Sequence, residues 1–163
     1  MSKADWIWMP HAGHFCAAHR CRFHLNTCVN GYIVSTVGEL DWDSDIKRIF
    51  AKNRVKWPKL EIGEDGKVQQ VETISDEQLT QLLSLQGDVF DAAYMDMFGF
   101  ENLGLNRKYE TMVFKAIPCK EHPCCPWEAG RDSIDMEGYN SAEDAYKGHL
   151  ALCEKLDKTE PPK

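Results

Sequence analysis

The sequence lacks any long run of apolar residues. In this 163-residue chain, the uncharged apolar stretches are far shorter than the roughly 20 residues that a transmembrane helix needs. The opening stretch, MSKADWIWMPHAGH, contains neither the apolar core nor the small-residue cleavage motif of a secretory signal. We therefore expect a cytoplasmic protein without a membrane partner.

The sequence also lacks the short motifs that mark common catalytic folds. It contains no Gly-rich phosphate loop, no G-x-S-x-G turn and no H-E-x-x-H helix. Hydrophobic residues make up 43% of the chain and charged residues 28%. These values are typical of a globular protein, and they exclude a wholly disordered chain.

Positive charge is scarce in the second part of the chain. Residues 1–60 carry nine Lys and Arg against five Asp and Glu, whereas residues 61–163 carry ten against twenty-one. This imbalance argues against wrapping nucleic acid over the whole surface, but it leaves a basic patch within residues 1–60. The acidic part either offers a face to a basic partner or simply keeps the protein in solution.

Cysteine and histidine are both absent from residues 29–118. The seven Cys and six His fall instead into two clusters at the ends of this gap. The clusters are His11, His14, Cys16, His19, Cys21, His24 and Cys28, and then Cys119, His122, Cys124, Cys125, His149 and Cys153. A random distribution would not leave such a gap, so the two clusters call for an explanation.

Zinc explains the clusters better than disulfides or core packing. The odd number of cysteines and the expected reducing compartment argue against disulfides. Burial as a small hydrophobe accounts for a single residue such as Cys28, but not for the histidines beside the other cysteines. Thiolate and imidazole are the preferred ligands of Zn²⁺, and short spacers let one turn supply two of them.

The first cluster predicts a compact zinc site with the spacing H-x-C-x4-C-x2-H. Its predicted ligands are His14, Cys16, Cys21 and His24, with His11 and His19 as possible replacements. The alternative is a His-rich surface loop.

The second cluster predicts a site built from a Pro-rich loop and a helix. Its predicted ligands are Cys119, Cys124, His149 and Cys153, and Cys125 is able to replace a neighbour. His149 and Cys153 are four residues apart on the helix predicted over residues 141–156, so they share one face. The alternative is a helix whose Cys153 simply faces the core. The two clusters supply ligands either to one shared site or to two neighbouring sites. The protein would accordingly bind one or two zinc ions.

The remaining patterns predict a single α+β domain over residues 1–158, with an antiparallel sheet, about four helices and zinc at its ends. Asn30-Gly31 predicts a hairpin between strands at residues 22–28 and 32–37, and residues 109–117 form a further strand. The predicted helices are residues 44–52, 75–86, 88–98 and 141–156. Ser75 with Gln78 fits a capping box, and Ser141 or Asn140 can cap the last helix. Residues 159–163, which include two prolines, are expected to be a flexible tail.

Five strings resemble a group of small, uncharacterised zinc-binding-like proteins of bacteriophages and prophages. The strings are WMPHAGHFC (residues 8–16), CRFH (21–24), GYIVSTVGE (31–39), GDVFDAAY (87–94) and YETMVF (109–114). The resemblance covers most of the chain but carries no activity or catalytic residues. It implies a phage setting, in which small accessory proteins bind and disable or redirect a host machine.

These observations lead to three hypotheses about function. The first is a zinc-stabilised interaction protein that binds a host protein, for example as an inhibitor of a defence system similar to an anti-CRISPR protein. The second is a zinc-dependent enzyme with an open site in the N-terminal His/Cys cluster. The third is a single-stranded nucleic-acid-binding module that uses the basic and Trp-containing residues 1–60.

Overall fold

The computed structural model describes residues 6–11, 13, 20–56, 60–62, 66–70, 74–103 and 107–163. The chain divides into two compact units, the first from residues 1–41 and 100–163 and the second from residues 42–99. The elements in chain order are β1 (Ile7–Trp8), β2 (Cys21–Val29), β3 (Tyr32–Leu40), α1 (Ser44–Lys56), β4 (Leu60–Ile62), β5 (Val68–Gln70), α2 (Asp76–Ser84), α3 (Gly87–Phe98), β6 (Tyr109–Pro118), β7 (Trp127–Tyr139) and α4 (Ala142–Asp157).

The first unit contains a five-stranded antiparallel sheet with the strand order β1-β2-β3-β6-β7. The β2–β3 hairpin turns at Asn30 and Gly31, whose φ angles of 49° and 80° are those of a two-residue hairpin turn. Val29 then pairs with Tyr32, and the ladder continues to Cys21 and Leu40. The hairpin predicted from the sequence is confirmed.

Helix α4 packs on one face of this sheet. It begins after Ser141, whose hydroxyl accepts a hydrogen bond from the Asp144 backbone N–H, and this cap satisfies one of the free donors at the helix start. The helix and the sheet share one apolar cluster. Its buried members are Val29, Tyr32, Val34, Val113, Leu152, Cys153 and Leu156.

A second apolar cluster of this unit joins Met9, the sheet and the loop between β6 and β7. Its buried members are Met9, Cys28, Ile33, Phe114, Ala116 and Cys125. Cys28 therefore has the core position that the sequence allows for it. Cys125 belongs to the loop, so burial of its side chain holds the loop close to Met9.

The second unit contains α1, α2 and α3 and the two-stranded β4–β5 sheet. Helix α2 begins at the predicted capping box, in which Ser75 and Gln78 each bond the other's backbone N–H. Phe90 and Tyr94 are fully buried. The guanidinium of Arg48 lies 3.9 Å from the centroid of the Phe90 ring.

Over the residues that it describes, the structure confirms an α+β fold with an antiparallel sheet and four helices. Strand β7 was not predicted. The extent of the single domain, residues 1–158, stays a prediction. The flexibility of residues 159–163 also stays a prediction, although the tail has contacts: the Tyr32 hydroxyl donates to the Glu160 carbonyl oxygen at 2.8 Å.

Candidate metal centre

The segment after β1 brings His11 to the sheet. The Met9 backbone N–H donates to the Asn26 carbonyl oxygen at 2.8 Å. The Asn26 side-chain amide donates in turn to the His11 carbonyl oxygen, also at 2.8 Å. Two residues later, the Gly13 N–H donates to the Ser35 hydroxyl. These bonds fix the backbone of His11 against β2 and β3.

The loop between β6 and β7 brings three cysteines to the same place. The register pairs Pro118 with Trp127. One step further, the Cys119 N–H donates to the Pro126 carbonyl oxygen at 2.9 Å. Within the loop, the Cys125 N–H donates to the His122 carbonyl oxygen at 2.9 Å, which closes a tight turn around Cys124.

Three donor atoms meet where this loop reaches the segment after β1. The His11 Nδ1 lies 3.4 Å from the Cys125 Sγ and 3.5 Å from the Cys124 Sγ. All three atoms lie within 4.8 Å of one another, so this group can hold a metal ion. His11 and Cys124 are exposed, whereas Cys125 is buried.

The distances match those expected around a tetrahedral zinc ion. With Zn–S of about 2.3 Å and Zn–N of about 2.0–2.1 Å, tetrahedral angles place a nitrogen and a sulfur about 3.5 Å apart. Both distances from the His11 Nδ1 are close to that value. Little movement is therefore needed for one ion to bind all three atoms.

The surroundings of Cys125 disfavour the charged form of its thiol. Burial raises the pKa of the Cys125 thiol above its usual value, and the nearby Cys124 and Cys119 raise it further, while a hydrogen bond with the His11 backbone opposes them. A buried thiolate among other sulfur groups is costly without a cation. A bound metal ion would supply the missing positive charge.

The first predicted ligand set is only partly within the described residues. His14 and Cys16 lie outside them, as does the alternative ligand His19. Cys21 is buried in β2, and burial raises its pKa to about 11. The His24 Nε2 donates to the Pro10 carbonyl oxygen at 2.9 Å. The zinc site built from this set stays a prediction.

The second predicted set is divided between two places. Cys119 and Cys124 lie in the loop beside His11. Cys153 lies in the core between α4 and the sheet, where burial raises its pKa to about 12. The complete set stays a prediction.

His149 also lies in the interior, and both of its ring nitrogens have partners. Its Nε2 is 2.8 Å from the Thr27 hydroxyl, and its Nδ1 is 2.8 Å from the Thr36 hydroxyl. Thr36 is also bonded to Thr111, on the neighbouring strand. Burial lowers the pKa of His149 to about 4, so the ring is neutral at neutral pH. A ligand role for His149 would require it to give up a threonine partner.

The sequence did not assign His11 or Cys125 to a primary ligand set; it named both only as replacements. The sequence did allow for one site that draws ligands from both clusters. Such a site would combine a residue of the first cluster, near position 11, with residues of the second, near position 124. The structure shows this combination.

Comparison with protein-family models, curated proteins and solved structures finds no match. Among the described residues, no helix is both long enough and apolar enough to span a membrane.

Proposed function

We propose that the protein is a zinc-stabilised interaction protein of phage type that binds a host protein and inhibits or redirects the machine to which it belongs. Zinc bound by His11, Cys124 and Cys125 would stabilise the fold, and β7 would supply the contact surface. The observation that carries the proposal is the exposure of β7: every residue from 131 to 137 is exposed.

Strand β7 is the last strand in the sheet order, and it is 13 residues long. The edge of a sheet is a common site for pairing with another chain. However, the β6–β7 register shifts between Val113 and Phe114 and again between Phe114 and Ala116. Such bulges disfavour the regular addition of another strand. We therefore expect the partner to be held mainly by the side chains of β7.

These side chains combine apolar and acidic groups. Ile134 is 55% exposed and Met136 is 42% exposed. Asp132, Asp135 and Glu137 are exposed beside them on the same strand. Alternation along the strand places Asp135 and Glu137 on the face opposite Met136, so a partner that covers this edge meets both apolar and acidic side chains. The acidic side chains favour a basic partner and disfavour a second copy of this chain, because a second copy would bring like charges together.

The resemblance to phage and prophage proteins suggests where such a partner would be found. Host machines that handle nucleic acid carry basic surfaces for phosphate groups. An acidic strand that occupies such a surface would compete with the nucleic acid. Inhibition of a host defence complex is therefore the form of the proposal that the charge of β7 supports best.

The test is a capture experiment with matched variants. The tagged protein and the variants Asp132→Lys/Glu137→Lys and Ile134→Ser/Met136→Ser would be incubated with host extract, and retained proteins identified by mass spectrometry. Asp96→Lys and Val89→Ser, at exposed positions of the second unit, are the matched controls. We expect the wild type and the controls to retain one host protein. The amount retained should be at least tenfold lower with both β7 variants, and rising salt should release the protein. A partner that both β7 variants retain fully would contradict the proposal.

A zinc enzyme is the second candidate, and the exposure of His11 and Cys124 favours it. Three protein ligands plus water are typical of catalytic zinc, whereas four protein ligands are typical of structural zinc. Cyanide added to the cobalt-substituted protein distinguishes them. An open site would bind cyanide and change its visible spectrum, whereas the structural role proposed here predicts no change.

The nucleic-acid hypothesis has less support from the basic residues within 1–60. Arg48 donates to the carbonyl oxygens of Leu83 and Leu85. Lys47 is 4% exposed. Gel shifts with single-stranded DNA and RNA at increasing salt test this alternative, because true phosphate contacts weaken as salt rises.

A further inference from the structure

We propose that Cys119 is the fourth ligand of the metal centre, which makes it a closed site of three cysteines and one histidine. This inference rests on the proposed zinc binding by His11, Cys124 and Cys125. With Cys119 the site has four protein ligands and is structural; without it the site has three and is open to water.

The backbone of the β6–β7 loop places Cys119 next to the three donors. Because its N–H donates to the Pro126 carbonyl oxygen, Cys119 lies opposite Pro126 and diagonal to Cys124, two positions before Pro126. Diagonal neighbours on paired strands lie within reach of each other's side chains.

The chemistry of the site favours a thiolate as the fourth group. Zinc sites with four protein ligands commonly combine cysteines with histidine, including the Cys₃His set. Cys119 is half-buried and is not in a disulfide. Its backbone bond to Pro126 does not involve the side chain, so the thiol is free to rotate while the loop keeps its backbone geometry.

His122 is the competing ligand in the same loop. Its ring centroid lies 6.4 Å from that of His11, with the rings tilted by 48°. Its carbonyl oxygen accepts the Cys125 N–H, so His122 occupies the first position of the turn that presents the two cysteines. This arrangement gives His122 a positioning role in the loop, beside the ligand His11.

The closed site would connect parts of the chain that are far apart in sequence. His11 and Cys124 are 113 residues apart. Because the two segments meet only in the folded protein, part of the binding energy of the metal becomes folding energy. The centre would therefore fasten the segment after β1 to the β6–β7 loop.

Cobalt substitution of the full-length protein tests the ligand set. Charge-transfer absorbance from sulfur to cobalt scales with the number of bound thiolates. We expect absorbance from three thiolates in the wild type. Cys119→Ser should lose about one third of it, and the matched variant Cys28→Ser should lose none. An unchanged intensity in Cys119→Ser would overturn the inference, and failure of the wild type to bind cobalt would instead overturn the proposed metal site.

A second measurement needs no variant and so does not depend on the folding of Cys119→Ser. In the ¹¹³Cd-substituted wild type, NMR detects scalar coupling between the metal and the β protons of each bound cysteine. We expect coupling to Cys119, Cys124 and Cys125 and none to Cys153. Coupling to Cys16 in place of Cys119 would overturn the inference while leaving the metal site intact.

Discussion

Trp8 stacks on the imidazole of His149, with ring centroids 5.7 Å apart and an angle of 29° between the rings. The indole is 51% exposed, whereas His149 is fully buried. Trp8 therefore covers one face of the imidazole, while the hydroxyls of Thr27 and Thr36 meet its two ring nitrogens. The arrangement keeps a titratable ring away from water and has a measurable consequence for stability.

The first prediction concerns pH. Burial lowers the pKa of His149 from 6.5 to about 4 in the folded protein, so between these values the unfolded chain binds a proton that the folded chain does not. The contribution of His149 to the free energy of unfolding is fully present above pH 6.5. It falls by about 1.4 kcal/mol per pH unit as the pH decreases and is lost near pH 4. The total loss is about 3 kcal/mol.

Urea unfolding between pH 4 and 7 measures this slope, with a chelator present so that protonation of metal ligands does not contribute. His149→Gln is the control, because it removes the titration and keeps two polar groups. The difference between the two proteins isolates the histidine from the carboxylates. Equal slopes for both proteins would show that His149 is not protected from protonation.

The second prediction concerns Thr36, which bonds both His149 and Thr111. Thr36→Val keeps the shape of the side chain but removes the hydroxyl, so two buried polar groups each lose a partner. We expect a loss of about 1–3 kcal/mol in the free energy of unfolding. Thr80→Ala removes an exposed hydroxyl that donates to the Asp76 carbonyl oxygen, and this control should change stability by about 0.5 kcal/mol or less.

The sequence predicts the elements whose signals are local. The Asn30-Gly31 turn, the Ser75 capping box and the Ser141 cap each depend on a few neighbouring residues, and all three occur in the structure. Strand β7 carries a weaker local signal, because the clearest alternation of apolar and polar residues covers only residues 134–137 and the strand also contains Gly130 and Gly138. Its strand conformation comes from pairing with β6.

The metal centre shows the same limit. The two clusters of Cys and His are visible in the sequence, but the combination of His11 with Cys124 and Cys125 depends on strand order. That order depends on the pairing of β3 with β6, which brings residues as distant in sequence as Tyr32 and Lys115 side by side. The clusters therefore indicate a His/Cys group that could hold a metal ion, but their spacing does not select the residues that come together.

The third prediction concerns Gly148 within α4. Replacing an exposed helical glycine by alanine normally stabilises a protein by about 1 kcal/mol. At Gly148, however, an added Cβ would overlap the Tyr139 hydroxyl and ring. We therefore expect Gly148→Ala to lower the free energy of unfolding, by about 1–3 kcal/mol.

A double-mutant cycle with Tyr139→Ala checks the cause of this loss. Once the ring is absent, Gly148→Ala should become neutral or stabilising, because the three atoms nearest to the added methyl group all belong to Tyr139. Thermal or urea unfolding of the four proteins gives the coupling energy. If Gly148→Ala is equally destabilising in the Tyr139→Ala background, the predicted overlap is not the reason.

The fourth prediction concerns metal removal. A ligand present at a hundred times its dissociation constant stabilises the folded state by about 2.7 kcal/mol. For a chain of this size, loss of that energy corresponds to a decrease in Tm of roughly 5–10 °C. We expect a strong chelator to produce such a decrease in the purified protein, and added Zn²⁺ to reverse it, as followed by calorimetry.

The variants His11→Ala and Cys28→Ser separate metal loss from simple destabilisation. His11→Ala removes a proposed ligand, so its Tm should be lower and should no longer respond to chelator. Cys28→Ser disturbs the apolar cluster that also contains Met9 and Cys125, so its Tm should be lower but should still fall on chelation. A wild-type Tm that is the same with zinc and with chelator would show that no metal stabilises this fold, because binding restricted to the folded state must shift the unfolding equilibrium.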